Sequence, residues 1–349
     1  MNDMSHSSVR ASGTMQPLAR PWLVADIGGT NARFGWLAPG AERVAHVATL
    51  AGTNYSGPAA AARAYLADLA AKLGDAFEAP RAAAFALATA VGSDLVTFTN
   101  SGWAFSCQAT RRELALDELI LLNDFEALAL SLPRLTGEQL RPIGRLSYPA
   151  ASGALAVIGP GTGLGVAGIV PTTRGWVAVP GEGGHASLSP ADDFESAVLA
   201  AVRRRHDHVS AERLLSGIGL PVLHQAVAAV LGQSLGLKSG ADVLTAEEIV
   251  ERGLARQDAA CERTLDSFCA LLGSFAGNVA LLLGARGGVF IGGGIVPRLG
   301  ERFFESRFRD RFEAKGRFQD YLRAIPTSLI TDTLVALTGA TVALEQRSR

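Results

Sequence analysis

Apolar runs alternate with glycine-rich or polar turns along most of the chain. PWLVADIGG and NARFGWLA meet at a Gly-Gly turn near residue 28, a pattern that predicts a β-hairpin. Ala59 to Leu73 carries apolar and alanine positions at helical spacing, and RAAAFALATAV reads as a buried strand. The run Leu119 to Leu122 passes into Asn123 and Asp124 and then into the helical pattern FEALALSL. Ala154 to Val170 repeats the strand, glycine turn, strand layout of the opening. Helices are expected from Asp193 to Arg205, from Ser210 to Leu231 with an interruption at Gly217 to Pro221, and from Ala246 to Ala285. GGVFIGGG reads as a buried strand ahead of a helix, and SLITDTLVALTGATVALEQ as a strand and a final helix. Strands and helices alternate throughout, so the fold class is α/β.

Length and charge narrow the function. With 349 residues the chain has room for about two domains, and the loop-like stretch PRLTGEQLRP after Pro133 is the first candidate boundary. Residues 1–20 are polar, lack the apolar centre of a secretory signal, and are expected to form a disordered extension. The 32 Lys+Arg against 33 Asp+Glu leave a net charge of −1, without the basic footprint of a nucleic-acid binder. Three cysteines, Cys107, Cys261 and Cys269, fit a reducing cytoplasm. Their distance in sequence from the six histidines argues against a Cys/His metal cage. The uncharged stretch Ser267 to Ala285 is long enough for a membrane span, but it runs into a buried strand and reads as a core helix.

Candidate chemistry lies in three glycine turns. In Asp26-Ile27-Gly28-Gly29-Thr30, glycines let backbone N–H groups approach a phosphate, and a carboxylate at the strand end can hold Mg²⁺ through its waters. The second turn is Gly159-Pro160-Gly161-Thr162-Gly163-Leu164-Gly165, and the third is Gly292-Gly293-Gly294. Either of the first two alone is more often just a hairpin turn, whereas the third follows a strand and precedes a helix. Gly163 to Gly168 also spells GxGxxG, but a strand-like, proline-stopped run follows where a dinucleotide fingerprint requires a helix. The chain contains no GxxxxGK[ST] motif.

DIGGTN at 26–31, LLNDFEAL at 121–128, GPGTGLG at 159–165, PGEGGH at 180–185, SAERLLSG at 210–217 and GGVFIGGGIVPR at 287–298 stand in the order of one family. From about residue 21 to the end, the chain resembles the bacterial glucokinases of the actin-like sugar kinase superfamily. The resemblance implies a duplicated actin-like (ribonuclease H-like) fold whose two domains flank an active-site cleft. The small domain would comprise residues 21–134 and 328–349, and the large one 135–327. It implies ATP and Mg²⁺, D-glucose as substrate, a homodimer, and neither nucleic-acid nor membrane partners. Two departures stand out. TNSGWAF at 99–105 has Ser101 and Gly102 where relatives often carry bulkier residues, and the Cys-rich zinc motif of related ROK proteins is missing.

Individual residues then acquire expected roles. Asp124 on its own reads as a helix cap; the resemblance makes it the base that takes the proton of the sugar 6-hydroxyl. Asp26 would hold Mg²⁺. Ala25, Asp26, Ile27, Gly28, Gly29, Thr30, Gly161, Thr162, Gly163, Gly293 and Gly294 would line the nucleotide. Asn123, Glu182, His185, Glu212 and Asn100 would face glucose. Glu212 by itself reads as an acid near a helix N-terminus, although a capping box from Ser210 would need Glu at 213, which is Arg213. A kinase for another hexose and a non-catalytic sugar sensor are the alternatives. Retention of Asp26 and Asp124 speaks against the sensor.

Overall fold

Two twisted sheets, one from each half of the chain, face each other across a thin layer of helix. The computed structural model describes residues 20–89, 91–98, 102–146, 153–173, 175–232 and 243–348. The first half runs β1 (Trp22–Ile27), β2 (Asn31–Leu37), β3 (Ala45–Ala51), α1 (Pro58–Leu73), β4 (Ala82–Leu87), β5 (Leu95–Thr97), β6 (Ala104–Ser106), α2 (Cys107–Glu113), β7 (Glu118–Asn123) and α3 (Asp124–Ser131). Strands β8 (Leu140–Ile143), β9 (Leu155–Pro160), β10 (Leu164–Thr172) and β11 (Gly175–Gly181) follow. Helices α4 (Asp193–Arg203), α5 (Leu220–Val230), α6 (Ala246–Leu254) and α7 (Ala259–Leu283) lead to β12 (Gly288–Ile291). Short helices α8 (Ile295–Leu299), α9 (Glu301–Phe304), α10 (Phe308–Glu313) and α11 (Gln319–Arg323) precede β13 (Thr327–Ile330) and α12 (Val335–Arg347).

Among the described residues the first sheet has the order β3-β2-β1-β4-β7 and the second β11-β10-β9-β12-β13-β8. Each contains an antiparallel hairpin, β1 with β2 and β9 with β10, whose first strand has a parallel neighbour on its other side, β4 or β12; β8 closes the second sheet antiparallel to β13. The repeated layout read in the sequence is therefore a repeated topology. Strand β13 is hydrogen-bonded between β12 and β8, whereas α12 packs with α3 against β1 and β4. Residues 328–330 thus sit in the second sheet, although the rest of the closing segment covers the first. Arg20 also belongs to the fold: it reaches Glu345 at 3.2 Å and lies over the Trp22 ring.

The period of two along buried strands sorts their side chains onto opposite faces. Trp22 and Val24 join a cluster between the sheets, which also holds Leu155, Val157, Ala127 and Leu337. Leu23, Ala25 and Ile27 point the other way, toward Phe34, Tyr65 and Phe85. Ala156 and Ile158 face the helical core around Phe268, Leu272 and Phe308. Helices α3 and α12 fit the narrow space between the sheets because Gly339 has no side chain. A Cβ there would lie 1.7 Å from the Ala127 carbonyl oxygen.

Helix α7 has the length and apolarity of a membrane span, and 78% of its apolar window is buried inside the fold. It is the core helix expected. The stretch 246–285 is divided by a break at Arg256, which has a positive φ of 54°, and Asp258 caps the second helix. Residues 210–216 are not the helix expected but a series of turns, which continue through 217–219 of the expected interruption to α5.

Candidate active site

The site is assembled where α3 of the first half meets the β9–β10 hairpin of the second. Asn123 ends β7 and caps α3, accepting the Phe125 N–H at 2.9 Å on its side-chain oxygen and donating to the Thr89 carbonyl at 3.3 Å. Asp124 is the first helical residue, so the capping role falls to its neighbour. Its Oδ1 shares the Phe125 N–H at 2.9 Å. Burial raises the Asp124 pKa to about 6 and the charge of Asp26 adds to the rise, while the N–H bonds oppose it.

Asp26 stands near the end of β1, opposite Arg33 in the hairpin register. Burial lifts its pKa too, and Arg33, with a guanidinium nitrogen 3.6 Å away, pulls it back. The adjoining turn is closed by the Gly28 N–H on the Asn31 carbonyl at 2.9 Å, and the Thr30 carbonyl accepts the Gly52 N–H at 2.8 Å. Gly28 and Gly29 are half-buried and Thr30 exposed, whereas Ala25 and Ile27 are fully buried. Ala25 and Ile27 face the core with their side chains, so only their backbone could contribute to a nucleotide site.

Phe125 ties the halves together. Its ring lies across the second glycine turn, where a Cβ on Gly165 would come within 2.0 Å of it and one on Gly159 within 2.4 Å. At Gly293, with φ of +76°, a Cβ would lie 2.4 Å from the Pro160 carbonyl oxygen. The second and third turns are thus in backbone contact, and the Gly292 N–H reaches the Ile158 carbonyl at 2.8 Å. Gly161 and Gly163 close their own turn at 2.9 Å, and the Gly161 carbonyl accepts the Gly217 N–H at 2.7 Å. Thr162, Gly293 and Gly294 are exposed.

The remaining polar residues converge through backbone bonds. Glu212 N–H donates to the Gly184 carbonyl at 2.8 Å and Ala211 N–H to the Ala186 carbonyl at 2.9 Å, which joins PGEGGH to SAER. Gly184 lies so close to β10 that a Cβ would be 1.9 Å from the Leu164 carbonyl oxygen. Glu212 Oε2 accepts the Leu164 N–H at 2.8 Å, and its Oε1 is 3.9 Å from His185 Nε2. The same His185 nitrogen is 3.9 Å from Glu182. Glu182 and His185 are exposed at the mouth while Glu212 is mostly buried. The reading of Glu212 as an acid at a helix N-terminus gives way to these contacts. Asn100 lies outside the described residues.

Three positions were not singled out by their residue type: Arg33, Phe125 and Gly217. Arg33 could have been found from the hairpin register, and Phe125 from the glycines needed opposite it. Gly217 is visible in the sequence only as a helix interruption and a motif residue; its bond to Gly161 is not, because that partner is remote in sequence.

A family model described as Glucokinase matches residues 23–347. A glucokinase of Chromobacterium violaceum is 48% identical over 324 residues, which cover 93% of this chain and 89% of that one. Among solved structures, glucokinase from an Antarctic psychrotroph superposes with a TM-score of 0.83 at 36% identity, covering 93% of this chain and 98% of that one. Glucokinase from Balamuthia mandrillaris in complex with glucose has a TM-score of 0.71 at 18% identity, with 97% and 95% covered, and is similar in fold.

Proposed function

The chain belongs to the glucokinase family, and from that premise we infer how its residues divide the work of phosphorylating glucose with ATP. The observation that carries the assignment is the carboxylate at the head of α3. Asp124 is freed from capping by Asn123, lies close enough to Asp26 to feel its charge, and has its pKa raised to about 6. A base with a pKa near the working pH combines an ionised resting form with useful basicity. Asp124 accepts the proton of the sugar 6-hydroxyl as that oxygen attacks the terminal phosphoryl group. Glu212, Glu182, His185 and Asn123 hold and orient glucose, and the family resemblance alone adds Asn100 to them. Glu212 is held in place by the Leu164 N–H on one oxygen, and its other oxygen lies 3.9 Å from His185 Nε2.

The phosphates of ATP fit the first two glycine turns, where missing side chains expose backbone N–H groups. Gly293 and Gly294 face the adenosine. Asp26 suits Mg²⁺: it is a hard oxygen donor, buried enough to have a raised pKa, with Asp124 adding negative charge and Arg33 as the opposing cation. Bound there through water, Mg²⁺ would offset the charge on the phosphates. The small domain is taken as the first sheet with α12 and the large domain as the second sheet with its helices. A homodimer working in the cytoplasm completes the reading.

A coupled assay of ADP release against glucose, mannose, N-acetylglucosamine and N-acetylmannosamine tests it. Turnover should be highest with glucose. Preference for another hexose would move the assignment to that sugar, and binding without turnover would make the chain a sensor.

A further inference from the structure

Helix α5 and the junction between α6 and α7 bring together three side chains for which sugar phosphorylation has no use. His224 lies buried on α5, Cys261 is fully buried in the first turn of α7, and Asp258 is the half-buried residue capping α7. His224 Nε2 is 3.5 Å from Cys261 Sγ. One ligand atom from each of the three residues lies within 4.8 Å of the others. The sequence argues against a Cys/His metal cage because the two residues stand at no ligand spacing along the chain; the fold nonetheless brings His224 and Cys261 together.

The dimensions are those of a metal site. Zn–S and Zn–N bonds of about 2.3 and about 2.05 Å at a tetrahedral angle place the two ligand atoms about 3.6 Å apart. The carboxylate is already oriented, because its Oδ1 accepts the Ala260 and Cys261 N–H groups at 2.8 and 3.0 Å and the Cys261 thiol is hydrogen-bonded to it, so carboxylate and sulfur stand side by side. A thiolate, an imidazole and a carboxylate favour Zn²⁺ or Co²⁺ over Mg²⁺, which prefers an all-oxygen shell. Arg252 and Glu248 of α6 also act on the cluster and oppose each other in sign. With Asp258 and a thiolate the site is net negative, and the partial exposure of Asp258 gives an ion a way in.

We propose that His224, Asp258 and Cys261 bind a divalent ion of the zinc type, with water at the fourth position, and that the ion staples α5 to α7. Loading exchanges the Cys261 thiol proton for the ion. The site lies apart from Asp26 and serves stability rather than phosphoryl transfer.

The test uses the full chain, stripped of metal by a chelator that is then removed, and titrated with Co²⁺. A thiolate-to-cobalt charge-transfer band should appear, saturate at one ion per chain and disappear on adding Zn²⁺. Co²⁺ held by Asp26 or Asp124 gives no such band, so failure here leaves the kinase assignment untouched. Cys261→Ser should abolish the band and Cys107→Ser should leave it intact. Asp258→Asn retains the helix cap, since Asn caps about as well as Asp, and should weaken Co²⁺ binding by about tenfold or more, as loss of an interaction at a metal site does. This variant keeps the test open if Cys261→Ser fails to fold. Zn²⁺ should raise the melting temperature of the wild-type chain more than that of Asp258→Asn. Absence of the band in the stripped wild type, its survival in Cys261→Ser, or unchanged affinity in Asp258→Asn overturns the proposal.

Discussion

Replacing Asp124 by Asn should make the protein more stable while removing most of its activity. In the fold the Asp124 carboxyl has a pKa of about 6 against an ordinary 3.8. A rise of about two units corresponds to ~3 kcal/mol at 1.36 kcal/mol per unit, an upper figure for the cost of carrying this charge in the folded state. The sign follows from linkage. A group whose folded pKa is raised contributes stability that is fully present below the unfolded value and is lost as pH rises through the folded one. Wild type therefore bears the full cost above about pH 7, and the amide variant bears none at any pH. Asn123 still caps α3, and the amide oxygen that Asp124→Asn introduces can still accept the Phe125 N–H. Urea unfolding followed by tryptophan fluorescence should give matching stabilities near pH 4 and a mutant advantage that grows toward pH 8, up to about 3 kcal/mol. Over the same series kcat should fall by ~10² to 10⁴, the usual contribution of a general base. A stability difference that stayed constant with pH would refute the burial argument. Near-normal kcat would refute the base.

Other outcomes follow from the same contacts. Glu212→Gln keeps an acceptor for Leu164 N–H but loses the charge that we propose faces glucose, so KM for glucose should rise far more than KM for ATP; steady-state kinetics showing equal effects would remove Glu212 from the proposed sugar site. Gly165→Ala places a methyl 2.0 Å from the Phe125 ring, and the displacement should cost ~1–3 kcal/mol in unfolding experiments and lower kcat as well; an unperturbed variant would show that α3 is not held by this packing. The acid limb of kcat/KM for glucose should fall near pH 6, rising as Asp124 loses its proton. A flat profile from about pH 5 to 8 would mean that another group, or none, controls the rate.

Much of this arrangement was legible because local pattern and tertiary context agreed. The hairpin of β1 and β2, the strand and helix around Asn123 and Asp124, and the core helix α7 were all visible as periodicity with turn or cap residues. Residues 210–216 read as helical by their apolar spacing, yet the N–H groups of Ala211 and Glu212 are taken by Ala186 and Gly184 from elsewhere in the chain. Strand β8 hid within PRLTGEQLRP for a related reason. It is an edge strand with Arg141 and Pro142 exposed, and its pairing with β13 cannot be inferred from its own residues. Site residues quoted from motifs could be named in advance, but not what holds them. Asn123 rather than Asp124 caps the helix, and the backbone bonds from Ala211 and Glu212 bring SAER against PGEGGH. The pairing of His224 with Cys261 depends on two helices crossing, which no spacing rule along the chain reports.

The position of α12 sets a timetable for folding. Its residues Val335–Arg347 cover the inner faces of β1 and β4 and press Gly339 against Ala127 of α3. These contacts close over roughly 200 to 300 residues of intervening chain, and such long-range closure slows folding. On the ribosome the first sheet is made early but left uncovered on one side, while the second sheet and its helices are synthesised and can fold as a unit. The half of the protein that carries Asp26 and Asp124 is therefore the last to be sealed. During that interval it is Trp22, Val24 and the alanines of β4 that a chaperone would have to shield.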